Sequence, residues 1–143
     1  FQGAESAQPS PMFADALRSA TALVYCPSNP FLSIDPILAV GDVRKRIKSF
    51  EGIRIAVSPI IAGHALRGPA AKLLAEMGQE VSAQGIASHY KGLCDILVMD
   101  TSDAALTQTI QSLGIKPYTT NTIMKSDEDK VALAKYIYNL MSI

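Results

Sequence analysis

The sequence predicts an α/β domain in which a layered parallel sheet lies among helices. Three observations carry the prediction. Short apolar runs stand at 22–26, 53–57 and 94–99, with a more polar one at 116–122. Segments with apolar residues at i, i+3 and i+4 separate and flank them. Strands alternating with helices require parallel pairing through right-handed crossovers.

Taken in order, Ser10 ahead of Pro11 reads as a helix N-cap with proline at the first helical position. Phe13, Ala16, Leu17 and Ala20 then form one buried stripe. Ala22 to Cys26 is the first strand. Asp42 caps a short helix with Val43, Ile47 and Phe50 inward and a solvated basic face of Arg44, Lys45, Arg46 and Lys48. Ile53 to Val57 is the second strand. Pro69 starts a helix with Ala70, Leu73, Leu74 and Met77 on one side, ended by Gly78. Ser82 caps the next, which buries Ala83, Ile86, Ala87 and Tyr90 and stops at Gly92. Cys94 to Met99 is the third strand, closed by Asp100. Thr101 or Ser102 caps a helix that buries Leu106, Ile110 and Leu113. Lys116 to Thr122 is the fourth strand. Ser126 and Asp129 form a capping box ahead of a last helix whose apolar face includes Val131, Ala134, Ile137 and Tyr138.

The composition narrows the function. A chain of 143 residues, 48% hydrophobic, suits one domain with a real core. Thirteen basic side chains balance thirteen acidic ones, which argues against nucleic acid as an obligate partner. No apolar run reaches the roughly 18 residues of a membrane span, and nothing resembles a secretory signal. Cys26 and Cys94 read as buried free thiols in a reducing compartment, so a cytoplasmic location is expected. The start at Phe1-Gln2-Gly3, without methionine, fits a tag remnant or the interior of a longer protein.

Each strand opens into a loop: Pro27–Leu38, Ser58–Gly68, Asp100–Asp103 and Asn121–Ser126. In a parallel sheet these loops share the edge where ligands bind. The first is the most informative. Its prolines fix φ and remove backbone donors, while Ser28, Asn29 and Ser33 are sized to wrap an anion. The same residues also make plain turns. Arg67, ahead of the Gly68-Pro69 helix start, is either a fixed cation for that anion or a surface residue.

Strong motifs are missing: there is no Walker loop, dinucleotide fingerprint, Cys-x-x-Cys pair or nucleophile elbow. His64 and His89 show no metal-ligand spacing and read as hydrogen-bonding residues. Asp100 invites comparison with a receiver-domain phosphoacceptor, but Cys26-Pro27 stands where that chemistry needs an acidic pair. No catalytic base can be named.

Several segments together resemble the 2-phospho-L-lactate transferase family, which acts in biosynthesis of the deazaflavin coenzyme F-420. They are Pro27-Ser28-Asn29-Pro30, Ser33-Ile34 and Pro36-Ile37-Leu38; Val57-Ser58-Pro59-Ile60, Gly63 and Ala65-Leu66-Arg67-Gly68-Pro69-Ala70; then Ser88-His89-Tyr90, Asp100, Thr122-Ile123-Met124 and Glu128-Asp129. The likeness covers nearly the whole chain, and Gly3, Ala7 and Pro9 to Pro11 also fit it. Family members are longer, with a Gly-rich strand–turn–helix and the acidic residues thought to hold Mg²⁺ in an N-terminal half absent here. The resemblance therefore implies the C-terminal half of a Rossmann-like sheet with helices on both faces. It implies a guanosine-diphosphate-activated three-carbon phosphoacid as donor, the deazaflavin Fo as acceptor, release of GMP, dependence on Mg²⁺ and a homodimer. Residue by residue, it implies that Ser28, Asn29 and Ser33 line the phosphates. Ser58, Gly63 and Arg67 would contact the nucleotide or the acidic donor, and Thr122 and Met124 would contribute from the fourth loop. Two other readings stay open: a nucleotide-sugar-binding regulator of a sister family, whose first loop is instead Gly-Pro-Gly-Ser-like, and an inactive structural half.

Overall fold

The computed structural model describes residues 1–4, 6–66 and 68–142. The chain runs α1 (Pro11–Ser19), β1 (Ala22–Tyr25), α2 (Asp35–Leu38), α3 (Val43–Lys48) and β2 (Ile53–Val57). A small hairpin follows, β3 (Ile60–Ile61) and β4 (His64–Ala65), then α4 (Ala70–Glu76) and α5 (Ala83–His89). The remainder is β5 (Ile96–Asp100), a short 3-10 segment Thr101–Leu106, α6 (Thr107–Ser112), β6 (Lys116–Thr120) and α7 (Asp127–Leu140).

Four strands form one parallel sheet in the order β1-β2-β5-β6. Because chain order equals spatial order, every crossover moves the same way across the sheet. Right-handed crossovers in one direction place their helices on one face. That face carries the larger core, with Tyr25, Ala56, Leu97 and Met99 of the strands packed on Leu17, Leu38, Ile47, Leu74, Ile86, Tyr90 and Ile110 of the helices. The other face is covered by α7, whose Leu133 and Leu140 pack on Ile55, Val57, Ile96 and Val98. The expected layered α/β sheet with helices on both faces is present, with the layers unequal.

Three expectations need correction. The last helix was read with Val131, Ala134, Ile137 and Tyr138 inward. Ile137 does face the sheet, but with Leu133, Tyr136 and Leu140, while Val131 is 51% and Tyr138 70% exposed. Apolar residues nearly encircle α7, so two stripes fit the helical period and only contact with the sheet selects one. In α1, Leu17 is buried, but Phe13 is exposed and lines an open groove with Ala16 and Ala20. Cys94 is buried, and burial pushes its thiol up to about 12, an inert value; Cys26 is exposed at the end of β1. Smaller differences lie at the caps. Asp42 makes no capping bond and pairs with Arg46 (2.8 Å), and Asp100, rather than Thr101 or Ser102, caps the 3-10 segment.

At the N-terminal ends of the strands, Arg54 locks β2 to β5. Its Nε and Nη2 donate to Asp95 Oδ2 (3.0 Å) and Oδ1 (2.6 Å), and Nη1 donates to the carbonyls of Ile47 and Gly92. The fork holds Asp95 below the usual carboxylate range through the hydrogen bond from Arg54. This clamp stabilises the edge opposite the strand-end loops and leaves those loops for binding.

Candidate functional site

The first strand-end loop is shorter and more ordered than expected. Only residues 26–29 are non-helical; Pro30–Ile34 forms a wide helical turn that runs into α2. Pro30 and Pro36 occupy first-turn positions, where the missing N–H is no loss and the fixed φ suits the helix. Asn29 caps the turn, its Oδ1 accepting from the N–H of Phe31 (3.0 Å) and Leu32 (3.1 Å). Asp35 then ties the segment down, accepting from Arg44 Nη2 at 3.2 Å and lying 3.1 Å from His89 Nε2. Phe31 packs edge-on against the His89 ring. His89 thus acts at a helix end, as the sequence indicated.

The capping geometry leaves Asn29 Nδ2 buried without a hydrogen-bond partner among the described residues. An unpartnered buried amide donor costs free energy on the order of 1–3 kcal/mol. A ligand oxygen would relieve that cost.

The second strand end is held by Ser58, whose N–H donates to Val98 O (2.9 Å) and whose Oγ donates to Ile60 O (2.9 Å). The β3–β4 hairpin that follows turns through Ala62 (φ 48) and Gly63 (φ 78), as two-residue hairpins require. Ala62 is held in this unfavourable region by its N–H, which donates to the buried Asp103 carboxylate.

The third and fourth ends are fused by Asp100, 3% exposed. Its Oδ1 accepts from Ser102 N–H (3.0 Å) and Oγ (2.8 Å), and its Oδ2 from Thr122 N–H (3.0 Å). Burial raises the carboxyl, but the bonds from Ser102 and Thr122 outweigh it and hold Asp100 below the ordinary aspartate value. The sign follows from the unfolded chain binding the proton more tightly. The stabilisation is complete above the ordinary range and is lost as pH falls through the lowered value. Asp100→Asn should therefore cost about 2 kcal/mol at neutral pH. That deficit should shrink as pH falls below the ordinary aspartate range in denaturant titrations; a pH-independent deficit would refute the assignment.

The first, second and fourth ends converge on a cleft of about 320 Å³ lined by Pro27, Asn29, Ser58, Pro59, Ile61, Leu66, Ala70, Thr122, Met124 and Lys130. Four residues singled out from the sequence, Asn29, Ser58, Thr122 and Met124, are thus brought together. Ser28 and Ser33 instead line a separate apolar groove beside β1, and Gly63 stands at the hairpin tip. Arg67 lies outside the described residues. The cleft's lysine, Lys130, was not anticipated; it sits in the first turn of α7, 2.8 Å from Asp127. The signal was available, because the Ser126 capping box starts α7 at the same sheet edge as the other loops.

The sequence profile of 2-phospho-L-lactate transferase CofD matches residues 1–137. The chain belongs to this family. The 2-phospho-L-lactate transferase of Methanocaldococcus jannaschii is 36% identical over 96% of this chain and 42% of its own length. That of Methanococcoides burtonii is 35% identical over 99% of this chain and 45% of its own. A phosphoenolpyruvate transferase of Streptomyces griseus is 36% identical over 96% and 44%. The chain thus spans somewhat under half the length of these curated relatives. A crystal structure of a Bacillus halodurans protein superposes with a TM-score of 0.58 over 92% of this chain and 47% of that one; at 15% identity it supports the Rossmann-like fold alone.

Among the described residues of this transferase-family chain, no three His, Cys, Asp or Glu side chains come together to hold a cation. Asp100, Asp103 and Asp129 already serve backbone donors. The described residues therefore do not assemble a Mg²⁺ site. Among the described residues, no helix is long and apolar enough to cross a membrane.

Proposed function

We propose that the cleft binds the diphosphate of a guanosine-diphosphate-activated donor, within an enzyme that transfers a phospholactyl-type or phosphoenolpyruvyl group to the deazaflavin Fo. The acceptor hydroxyl attacks the phosphorus that bears the three-carbon acid. The P–O bond to the guanosine phosphate breaks, GMP leaves, and the hydroxyl proton passes to solvent or to a base outside the cleft residues named here. This is positioning and charge-stabilisation chemistry. The observation that carries the reading is Asn29 Nδ2, a buried donor without a partner among the described residues, on the wall of a cleft where three strand ends meet.

Each wall has a role in this reading. Asn29 Nδ2 donates to a phosphate oxygen, and Lys130 offsets the phosphate charge. The apolar surfaces of Pro59, Ile61 and Leu66 receive the base or the carbon skeleton of the donor. Asp100 and Thr122 fix the fourth loop and do not touch the reacting atoms. The names of the relatives in two phosphoacid classes, phospholactate and phosphoenolpyruvate, leave the donor's three-carbon acid as either.

Calorimetric titration with GDP and with UDP-N-acetylglucosamine tests the reading. GDP is expected to bind more tightly. Tighter binding of the UDP-sugar would overturn the transferase reading in favour of nucleotide-sugar recognition. Turnover by this chain alone is expected to be weak or nil, since it spans under half of each curated relative.

A further inference from the structure

We propose, resting on the reading of the cleft as the nucleotide site, that Asp103 is a positioning residue for donor binding. It acts through the backbone of Ala62 and sets the direction of the β3–β4 hairpin, which forms one wall of the cleft.

The topology makes this possible. β5 lies between β2 and β6, so its end stands between the second and fourth strand ends. Among the described residues, the β5 end lends no side chain to the cleft. Its two buried aspartates reach to either side instead. Asp100 accepts from the N–H of Thr122 beyond β6, and Asp103 accepts from the N–H of Ala62 beyond β2. The β5 end is a bracket between two walls.

Backbone strain shows why the hairpin needs that bracket. Among the described residues, Ala62 is the only non-glycine at positive φ, 48°. Asn, Asp and Gly are the usual residues at such a turn. Alanine has no polar side-chain atom with which to hold the conformation, and a hairpin of two residue pairs is too short to impose it. Asp103 supplies the restraint. Both of its carboxylate oxygens accept from the Ala62 N–H, Oδ1 at 3.1 Å and Oδ2 at 3.2 Å. Asp103 is 6% exposed and sits in the 3-10 segment that Asp100 caps, so the restraint is anchored on the sheet and not on the hairpin.

The two arms of the hairpin depend on the turn unequally. The incoming arm, Ile60 and Ile61, is buried, and Ser58 Oγ both donates to Ile60 O and accepts from Ile60 N–H. The outgoing arm, His64 and Ala65, takes its direction from Ala62 and Gly63 and delivers the exposed Leu66 to the cleft. Return of Ala62 to negative φ would swing that arm and carry Leu66 away from Ile61. GDP occupying the cleft would then lose a wall, although Asp103 itself does not line it.

Asp103→Ala is expected to weaken GDP binding about tenfold and to speed amide exchange over residues 60–65. The discriminating change is Ala62→Gly, because glycine adopts positive φ without a restraint. In the Ala62→Gly background, Asp103→Ala should cost less than about threefold in GDP affinity. A carboxylate that only stabilised the fold would cost the same in both backgrounds. Ala62→Val tests the same link with Asp103 in place, and serves where Asp103→Ala does not fold. A β-branched residue resists positive φ more strongly than alanine. Position 62 is exposed, so binding should fall while the chain still melts cooperatively.

Three results would overturn the proposal: unchanged GDP affinity in Asp103→Ala, equal losses in the two backgrounds, or wild-type affinity in Ala62→Val. Failure of the cleft reading looks different. In that case the unsubstituted chain binds no GDP, and this proposal falls with the reading. Binding by the unsubstituted chain with equal losses in the two backgrounds removes the role of Asp103 alone.

Discussion

Replacing Gly85 with alanine is expected to destabilise the domain by about 3 kcal/mol or more, a fall in melting temperature of roughly 10 °C. On propensity alone the change should help, because glycine inside a helix costs about 1 kcal/mol relative to alanine. The tertiary contact reverses the sign. A Cβ at Gly85 would stand 1.8 Å from the carbonyl oxygen of Glu80 and 2.9 Å from its carbonyl carbon. Both are backbone atoms, and they cannot rotate away as a flexible side chain could. The turn ahead of α5 is also fixed by Ser82, whose Oγ accepts from the N–H of Gly85 (3.1 Å) and whose N–H donates to Glu80 O (3.0 Å). Relief would have to move α5, which buries Ala83, Ile86 and Ala87. Ser88→Ala, at an exposed position of the same helix, should change stability by less than about 0.5 kcal/mol. Chemical denaturation of both variants checks the pair; equal midpoints would refute the close approach.

The second large effect is on binding. Asn29→Asp should weaken GDP binding by about 100-fold while leaving the fold intact. The substitution keeps the Oδ1 that caps Phe31 and Leu32, so the helical turn after Pro30 survives. It replaces the unpartnered Nδ2 donor with a carboxylate oxygen, which repels phosphate. Asn29→Ala removes cap and donor together and should cost about 1 kcal/mol of stability as well. Calorimetry and thermal melting on both variants separate the two roles. Wild-type affinity in the aspartate variant would show that the amide does not face the nucleotide.

Much of the architecture was legible. Four strands, their parallel pairing and most helix starts followed from short apolar runs, helical spacing and capping residues, all of which act within a few residues of sequence. The Ser10 cap, the Ser82 cap and the Ser126 capping box are in place as read. Where the reading erred, the deciding contact was remote. The segment after Asn29 holds enough prolines and serines for a rigid loop, but those prolines sit where a helical turn accepts them, and the turn is anchored on Arg44 and His89. The β3–β4 hairpin went unread because Ala62 is a poor residue for positive φ. It persists because Asp103, forty-one residues on, binds its N–H.

The candidate site divides in the same way. The sequence pointed to the strand ends, and Asn29, Ser58, Thr122 and Met124 do share one cleft. It gave no means of separating them from Ser28 and Ser33, which share the same strand-end segment yet line the neighbouring groove. Nor did it bring in Lys130, which lies near them only because α7 begins at the same edge.

By itself, then, the sequence determined the fold class and the family, and it pointed to the edge of the sheet where the candidate site lies. Periodicity, caps and ordered motifs are local and survive without coordinates. Tertiary structure alone decided which stripe of α7 is buried, why Gly85 cannot bear a side chain, and that Asn29 Nδ2 is left at the cleft without a partner among the described residues. Each of these depends on what another segment brings within a few ångströms, and local patterning does not encode that.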